Sequence, residues 1–271
     1  MTKILFLDLD GTLLNDEKQI TEGNQRALLD ALNAGHKIVI STGRALSCAI
    51  ELAERLHFTW DGCYVIAYNG SCVYDMFHRQ TVFQKTIPME YVRFLLNRAK
   101  ELGIHAHTYS DTQVVTEQEN ADLQQYVHNT QMTYQLVEDA CAALDHDPCK
   151  VLIVNYLERQ PIEAYQSSIL EWAKEKVDHY FSCDQLLEIV PPDVSKGNAI
   201  RILCQKLEIP IENTISAGDA DNDISMLQTT HISVVMKNAA PHMYQYATYI
   251  TEHDNNHDGI AEVIHKFLLD K

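Results

Sequence analysis

The sequence predicts an α/β protein built on a parallel sheet and interrupted by an α+β insertion. Three observations carry this. Short β-branched runs alternate with helical stretches from Lys3 to Ile66. The same alternation returns from Lys196 onward, whereas the intervening stretch from Val82 to Gln185 has few turn glycines and a different texture.

Each element has a local reason. Ile4–Leu7 is a short apolar run of strand length, and Lys37–Ile40 is a second. Between them Ala27, Leu28, Ala31 and Leu32 recur at helical spacing, and the helix stops at Gly35. A helix over Ala45–Leu56 leads to a third strand, Cys63–Ala67. In the middle, strands are expected at Ile104–Tyr109, Gln113–Thr116 and Val151–Asn155, with helices at Met89–Leu102 and Ile162–Glu175. The chain then reads helix Lys196–Leu207, strand Thr214–Ala217, a short helix from Asn222, strand Ile232–Val235 and helix Ile260–Leu269. Residues 1–81 and 188–271 are therefore expected to form one domain, with 82–187 inserted into it.

Composition narrows the function classes. With 38 acidic and 21 basic residues the 271-residue chain carries a formal charge of −17, which repels nucleic acid and anionic membranes. A phosphorylated ligand would need local cations or a bound metal against that field. Seven cysteines without a C-x-x-C spacing read as reduced thiols, and no signal or membrane-spanning run is seen, so a cytoplasmic protein is expected. The thirteen histidines are scattered, and His105/His107 lacks the spacing of a metal site.

Chemistry is sought beyond the carboxyl ends of parallel strands. The first strand ends in Asp8-Leu-Asp10-Gly11-Thr12. Asp10-Gly11 is a good turn dipeptide, but a turn does not explain Asp8. Two carboxylates so close raise each other's pKa unless a divalent cation with oxygen ligands lies between them. The second strand ends in Ser41-Thr42-Gly43-Arg44, either a simple helix entry or an anion site of hydroxyl and backbone N–H groups. At Ser195-Lys196-Gly197-Asn198 an N-cap is followed by a lysine in the first helical turn, where the dipole favours a carboxylate, so that cation should face an anion. Gly218-Asp219-Ala-Asp221-Asn222-Asp223 follows another strand. Its one-three-five aspartates suggest a calcium loop, but Ile224 and Thr230 stand where glycine and glutamate are needed. Asp254-Asn-Asn256-His-Asp258-Gly259 fails the same test at His265 and is read as a turn.

In this order, the four segments resemble the motifs of the haloacid dehalogenase-like superfamily of phosphohydrolases. The insertion between the second and third motifs, with Tyr68-Asn69-Gly70-Ser71 before it, resembles the Cof-type phosphatases with a subclass IIB (type C2B) α+β cap. The resemblance implies a Rossmann-like three-layer core, Mg2+ and a small phosphorylated metabolite as substrate. Asp8 would be the nucleophile that forms an aspartyl-phosphate, and Asp10 the general acid and then base, with a pKa above that of Asp8. Asp8, the Asp10 carbonyl and Asp219 would hold Mg2+, while Thr42, Gly43, Lys196 and Asn222 would bind the phosphoryl oxygens. Arg44 and Asp223 would stand behind them as orienting groups.

Sugar phosphates, or cofactors such as flavin mononucleotide and pyridoxal phosphate, are the expected substrates of a monomer or weak homo-oligomer. A phosphomutase is the enzymatic rival, disfavoured by the large insertion after the second motif; a sugar-phosphate sensor is the other. One departure from the family pattern is Lys237, in Val235-Met-Lys-Asn-Ala239, where a glycine is usual. It would alter the loop or add a cation near the site.

Overall fold

The computed structural model describes residues 1–269, so the last two residues of the 188–271 segment lie outside the described residues. The chain divides into two compact units, one of residues 1–44, 49–83 and 195–271, the other of 84–194 with 45–48.

In chain order, the first unit opens with β1 (Ile4–Leu7), α1 (Glu22–Asn33), β2 (Lys37–Ser41), α2 (Leu46–Arg55), β3 (Cys63–Ala67), β4 (Cys72–Asp75) and β5 (Gln80–Gln84). The second contributes α3 (Met89–Glu101), β6 (His105–Tyr109), β7 (Val114–Thr116), α4 (Ala121–Thr130), β8 (Tyr134–Leu136), α5 (Ala140–Ala143), β9 (Val151–Val154), α6 (Gln160–Ala173), β10 (Asp178–Cys183) and β11 (Leu186–Val190). The first unit resumes with α7 (Lys196–Lys206), β12 (Thr214–Gly218), α8 (Ile224–Leu227), β13 (Ile232–Val235), β14 (Tyr249–Ile250) and α9 (Gly259–Phe267).

The first sheet has the order β14-β13-β12-β1-β2-β3-β4-β5. The ladders from β14 to β3 are parallel, and β4 returns antiparallel to β3. Side chains alternate across a strand. Ile4 and Phe6 therefore share one face with Val39, Tyr64 and Ile66, where Ala199, Ile200 and Leu203 of α7 and Met226 of α8 cover them. Leu5 and Leu7 turn to the opposite face, and α1, packed on α9, lies against β2. Every side chain of β1 is buried, so truncating Phe6 to alanine would cost about 3–5 kcal/mol.

The second sheet has the order β10-β11-β9-β6-β7-β8, antiparallel except for the parallel β7–β8 pair. Leu186–Val190, which the expected boundary at 187/188 divides between the insertion and the core, is a strand of this sheet. One face is the apolar cluster of α3 and α6 with Ala106, Val151, Ile153 and Ile189. By alternation the other carries His105, His107 and Tyr109, which form a hydrogen-bonded ladder. His105 Nε2 meets His107 Nδ1 at 3.1 Å, His107 Nε2 meets the Tyr109 hydroxyl at 3.1 Å, and that hydroxyl meets Tyr126 of α4 at 2.7 Å. Burial pushes His105 down to about 4 and His107 well below the usual imidazole range. Beside them Lys150 and Glu188 form a buried ion pair at 2.8 Å.

Candidate active site

Because β1 lies between β12 and β2, the carboxyl ends of three parallel strands open on the same rim. Asp8 was expected at the last strand position; the strand itself ends at Leu7. Asp8 still donates its N–H to the Ala217 carbonyl at 3.1 Å, which prolongs the ladder by one bond and fixes the side chain over the rim.

Lys196 reaches this carboxylate from the first turn of α7. Ser195 caps the helix by accepting the Asn198 N–H at 3.1 Å. The wholly buried ammonium lies 2.6 Å from Asp8 Oδ1 and 2.7 Å from Asp223 Oδ1. The broken helix-dipole preference thus has its anion, in the form of two carboxylates of the protein.

Asp223 also shapes the turn after β12, its Oδ2 accepting the N–H groups of Asp219 at 3.1 Å and Ala220 at 3.2 Å. Asp219 accepts the Thr12 hydroxyl at 2.7 Å. Asp8, Asp219 and Asp223 each offer an oxygen within 4.8 Å of the others. Burial pushes the Asp8 carboxyl up, to about 8, against the pull of Lys196, and the charges of Asp223 and Asp219 push the same way. Burial also raises Asp219, to about 6, against the Thr12 hydroxyl. Three carboxylates around one ammonium leave excess negative charge in an all-oxygen donor set, which fits a hard divalent cation such as Mg2+.

Asp10 has a different environment. Its half-exposed carboxylate meets Lys18 Nζ at 2.8 Å and Arg44 Nη2 at 2.9 Å. Burial alone would raise its pKa, but the hydrogen bonds and charges of Lys18 and Arg44 outweigh it and hold the carboxyl below the usual range. Without a metal, burial thus pushes Asp8 up while Lys18 and Arg44 hold Asp10 down. Lys18 was missed because Asn15-Asp-Glu-Lys18 reads as a solvated turn; only its left-handed backbone, φ 60°, hints at a constrained position.

At the end of β2, Thr42 is buried, and its hydroxyl accepts the Arg44 N–H at 3.2 Å. Gly43 lies between them. Asn222 sits exposed in a 3₁₀ turn at Asp221–Asp223, and the α-helical turn begins only at Ile224. Lys237 directs its ammonium to the Glu252 carbonyl at 2.8 Å, while neighbouring Asn238 donates to the Gly11 carbonyl at 2.8 Å. The lysine thus ties down a loop, and the asparagine reaches the first motif.

A family model described as haloacid dehalogenase-like hydrolase matches residues 5–264. The chain belongs to this family. Among relatives of the haloacid dehalogenase-like chain is "Putative phosphatase YxeH" of Bacillus subtilis, 31% identical over 275 residues and covering 100% of both chains. Another is the 5-amino-6-(5-phospho-D-ribitylamino)uracil phosphatase YcsE of the same organism, 26% identical over 269 residues with 98% and 96% covered. The crystal structure of a haloacid dehalogenase-like hydrolase from Bacteroides thetaiotaomicron superposes with a TM-score of 0.90 at 27% identity, covering 98% of this chain and 99% of that one. The α/β fold and Cof-type membership expected from the four motifs are thereby established, and the protein is an enzyme of the phosphatase branch of the haloacid dehalogenase-like family.

Proposed function

We propose that the protein is a Mg2+-dependent phosphatase that hydrolyses small phosphate monoesters through a phosphorylated Asp8. The observation that carries this is the clustering of Asp8, Asp219 and Asp223, with the buried ammonium of Lys196 bonded to Asp8 and Asp223. Asp8 and Asp219, with Asp223 alongside, would hold the metal, whose chemistry is to neutralise phosphoryl oxygens so that an anionic nucleophile can approach.

The chain's own groups then divide the work. Asp8 Oδ forms a bond to phosphorus as the ester oxygen leaves, and Asp10 gives that oxygen its proton. Asp10, again a carboxylate, takes a proton from water as the water oxygen bonds phosphorus, releasing inorganic phosphate and free Asp8. For the first step Asp10 must gain a proton and loosen its contacts to Lys18 and Arg44. Thr42, the Gly43 N–H and Asn222 bind the phosphoryl oxygens, and Lys196 keeps Asp8 aligned and adds positive charge there.

Residues 82–187 are assigned the role of a substrate-selecting cap. Sugar phosphates and phosphorylated cofactors are the substrate class, in keeping with the phosphorylated ribityl compound named for YcsE. The negative charge of the whole chain disfavours a nucleic-acid or membrane partner, and its seven free cysteines are in keeping with the cytoplasm; among the described residues no helix is long and apolar enough to cross a membrane. The test is release of inorganic phosphate from p-nitrophenyl phosphate with Mg2+, followed by a panel of phosphorylated metabolites. Binding without turnover across that panel would overturn the proposal.

A further inference from the structure

Two turns of the proposed phosphoryl site, Thr42-Gly43 and Ser195-Lys196, meet a third segment, Tyr68-Asn69-Gly70, the short 3₁₀ turn after β3. Tyr68 and Asn69 are both left-handed, at φ 50° and 54°, and both are buried. Each such residue costs on the order of 1–2 kcal/mol, and a consecutive pair persists only where the surroundings over-determine it. A plain connection from β3 to β4 would not need a tyrosine in this conformation, since asparagine and glycine serve the left-handed places of hairpin turns.

The strained pair has visible targets. Tyr68 donates its N–H to the Arg44 carbonyl at 2.9 Å, and Asn69 donates its N–H to the Thr42 carbonyl at 3.0 Å. The residues on either side of Gly43 are therefore gripped from one turn. The Asn69 carboxamide fills the space beside Gly43 itself: a Cβ there would stand 3.0 Å from its Oδ1 and 3.1 Å from its Nδ2. One residue on, Gly70 at φ 115° lies flat on the next turn, where a Cβ would stand 2.2 Å from the Ser195 carbonyl oxygen.

We propose that Asn69 is a positioning residue for phosphoryl transfer, holding the Thr42-Gly43 turn in place while Gly70 keeps that turn in register with Ser195-Lys196. The proposal rests on the phosphatase reading of the Asp8 site. It assigns a task to an asparagine outside the four motifs, and it explains why the strain is retained there.

Asn69→Gly separates positioning from folding, because glycine takes a left-handed backbone more easily than asparagine and loses only the carboxamide. With p-nitrophenyl phosphate and Mg2+, kcat is expected to fall about tenfold or more, as for orienting groups behind a metal or phosphate site, with KM changed far less and Tm equal or higher. Wild-type kcat in Asn69→Gly would overturn the proposal. So would a loss of kcat that merely tracks a fall in Tm. A wild-type protein that releases no phosphate, with Asp8→Asn indistinguishable from it, would overturn the phosphatase reading and this inference together.

Discussion

The Lys196 ammonium and the Asp8 carboxylate, 188 positions apart in the chain, meet at 2.6 Å with the lysine fully buried. Lys196→Met would leave Asp8 and Asp223 facing each other without a cation, at a cost of about 3–5 kcal/mol. A lowered Tm, partly restored by Mg2+, is expected in thermal unfolding; an unchanged Tm would show that the pair contributes nothing.

Asp8→Asn should reduce phosphate release to background, since an amide does not replace the attacking carboxylate. Asp10→Asn should slow turnover roughly 10²–10⁴-fold and let a phosphorylated chain accumulate. Intact-mass spectrometry after mixing with p-nitrophenyl phosphate would detect the added phosphoryl group in Asp10→Asn and not in Asp8→Asn.

Lys18→Met and Arg44→Met each remove one of the two cations that depress Asp10. Either change raises the proton affinity of Asp10, so the pH limbs of kcat that report this group should move to higher pH. Superimposable pH profiles for the variants and the wild type would rule out control of Asp10 by these residues.

Asp8 and Asp219 have folded values of about 8 and about 6, above the 3.8 of a free aspartate. The folded protein then holds protons that the unfolded chain releases. Without metal, these groups make stability fall as pH rises from 3.8 towards about 8. His105, at about 4, acts in the opposite sense, but only below its free value of 6.5. Mg2+ competes with those protons, so its gain in Tm over an EDTA control should be larger at pH 8 than at pH 6.5. Equal gains would contradict metal binding by these carboxylates.

In the second unit, Lys150→Met strands Glu188 as a buried charge held only by the Ser182 hydroxyl at 2.9 Å. A loss of about 3–5 kcal/mol is expected, and Lys150→Met with Glu188→Leu should recover most of it. Urea unfolding of the two variants provides the comparison.

The three strands that carry the first, second and fourth motifs were legible because each is a short apolar run ending in residues that are costly at a strand end without a ligand. The helix α4 was not, since only Leu123 and Tyr126 of its residues are buried and its amide-rich surface has little periodicity. The β4–β5 and β10–β11 hairpins escaped for a related reason: β5 and β10 have no fully buried residue, so neither shows a clear apolar face. At the site, proximity through the fold hid Lys18 on Asp10 and the grip of Asn69 on Thr42. No local pattern marks a contact made across the sheet.

The place of β1 in the middle of its sheet also bears on how the protein is made. Its first partner, β2, follows within the same stretch of chain, but its second, β12, is synthesised only after the entire inserted unit. Until then Ile4–Leu7 presents an uncovered apolar edge, a hazard for association between nascent chains. Asp8 meanwhile lacks Lys196, Asp219 and Asp223, all of which emerge in the last third of translation. A prematurely terminated chain would carry Asp8, the proposed nucleophile, with none of the charged groups that surround it in the fold, so on that proposal completion of the fold and onset of chemistry coincide.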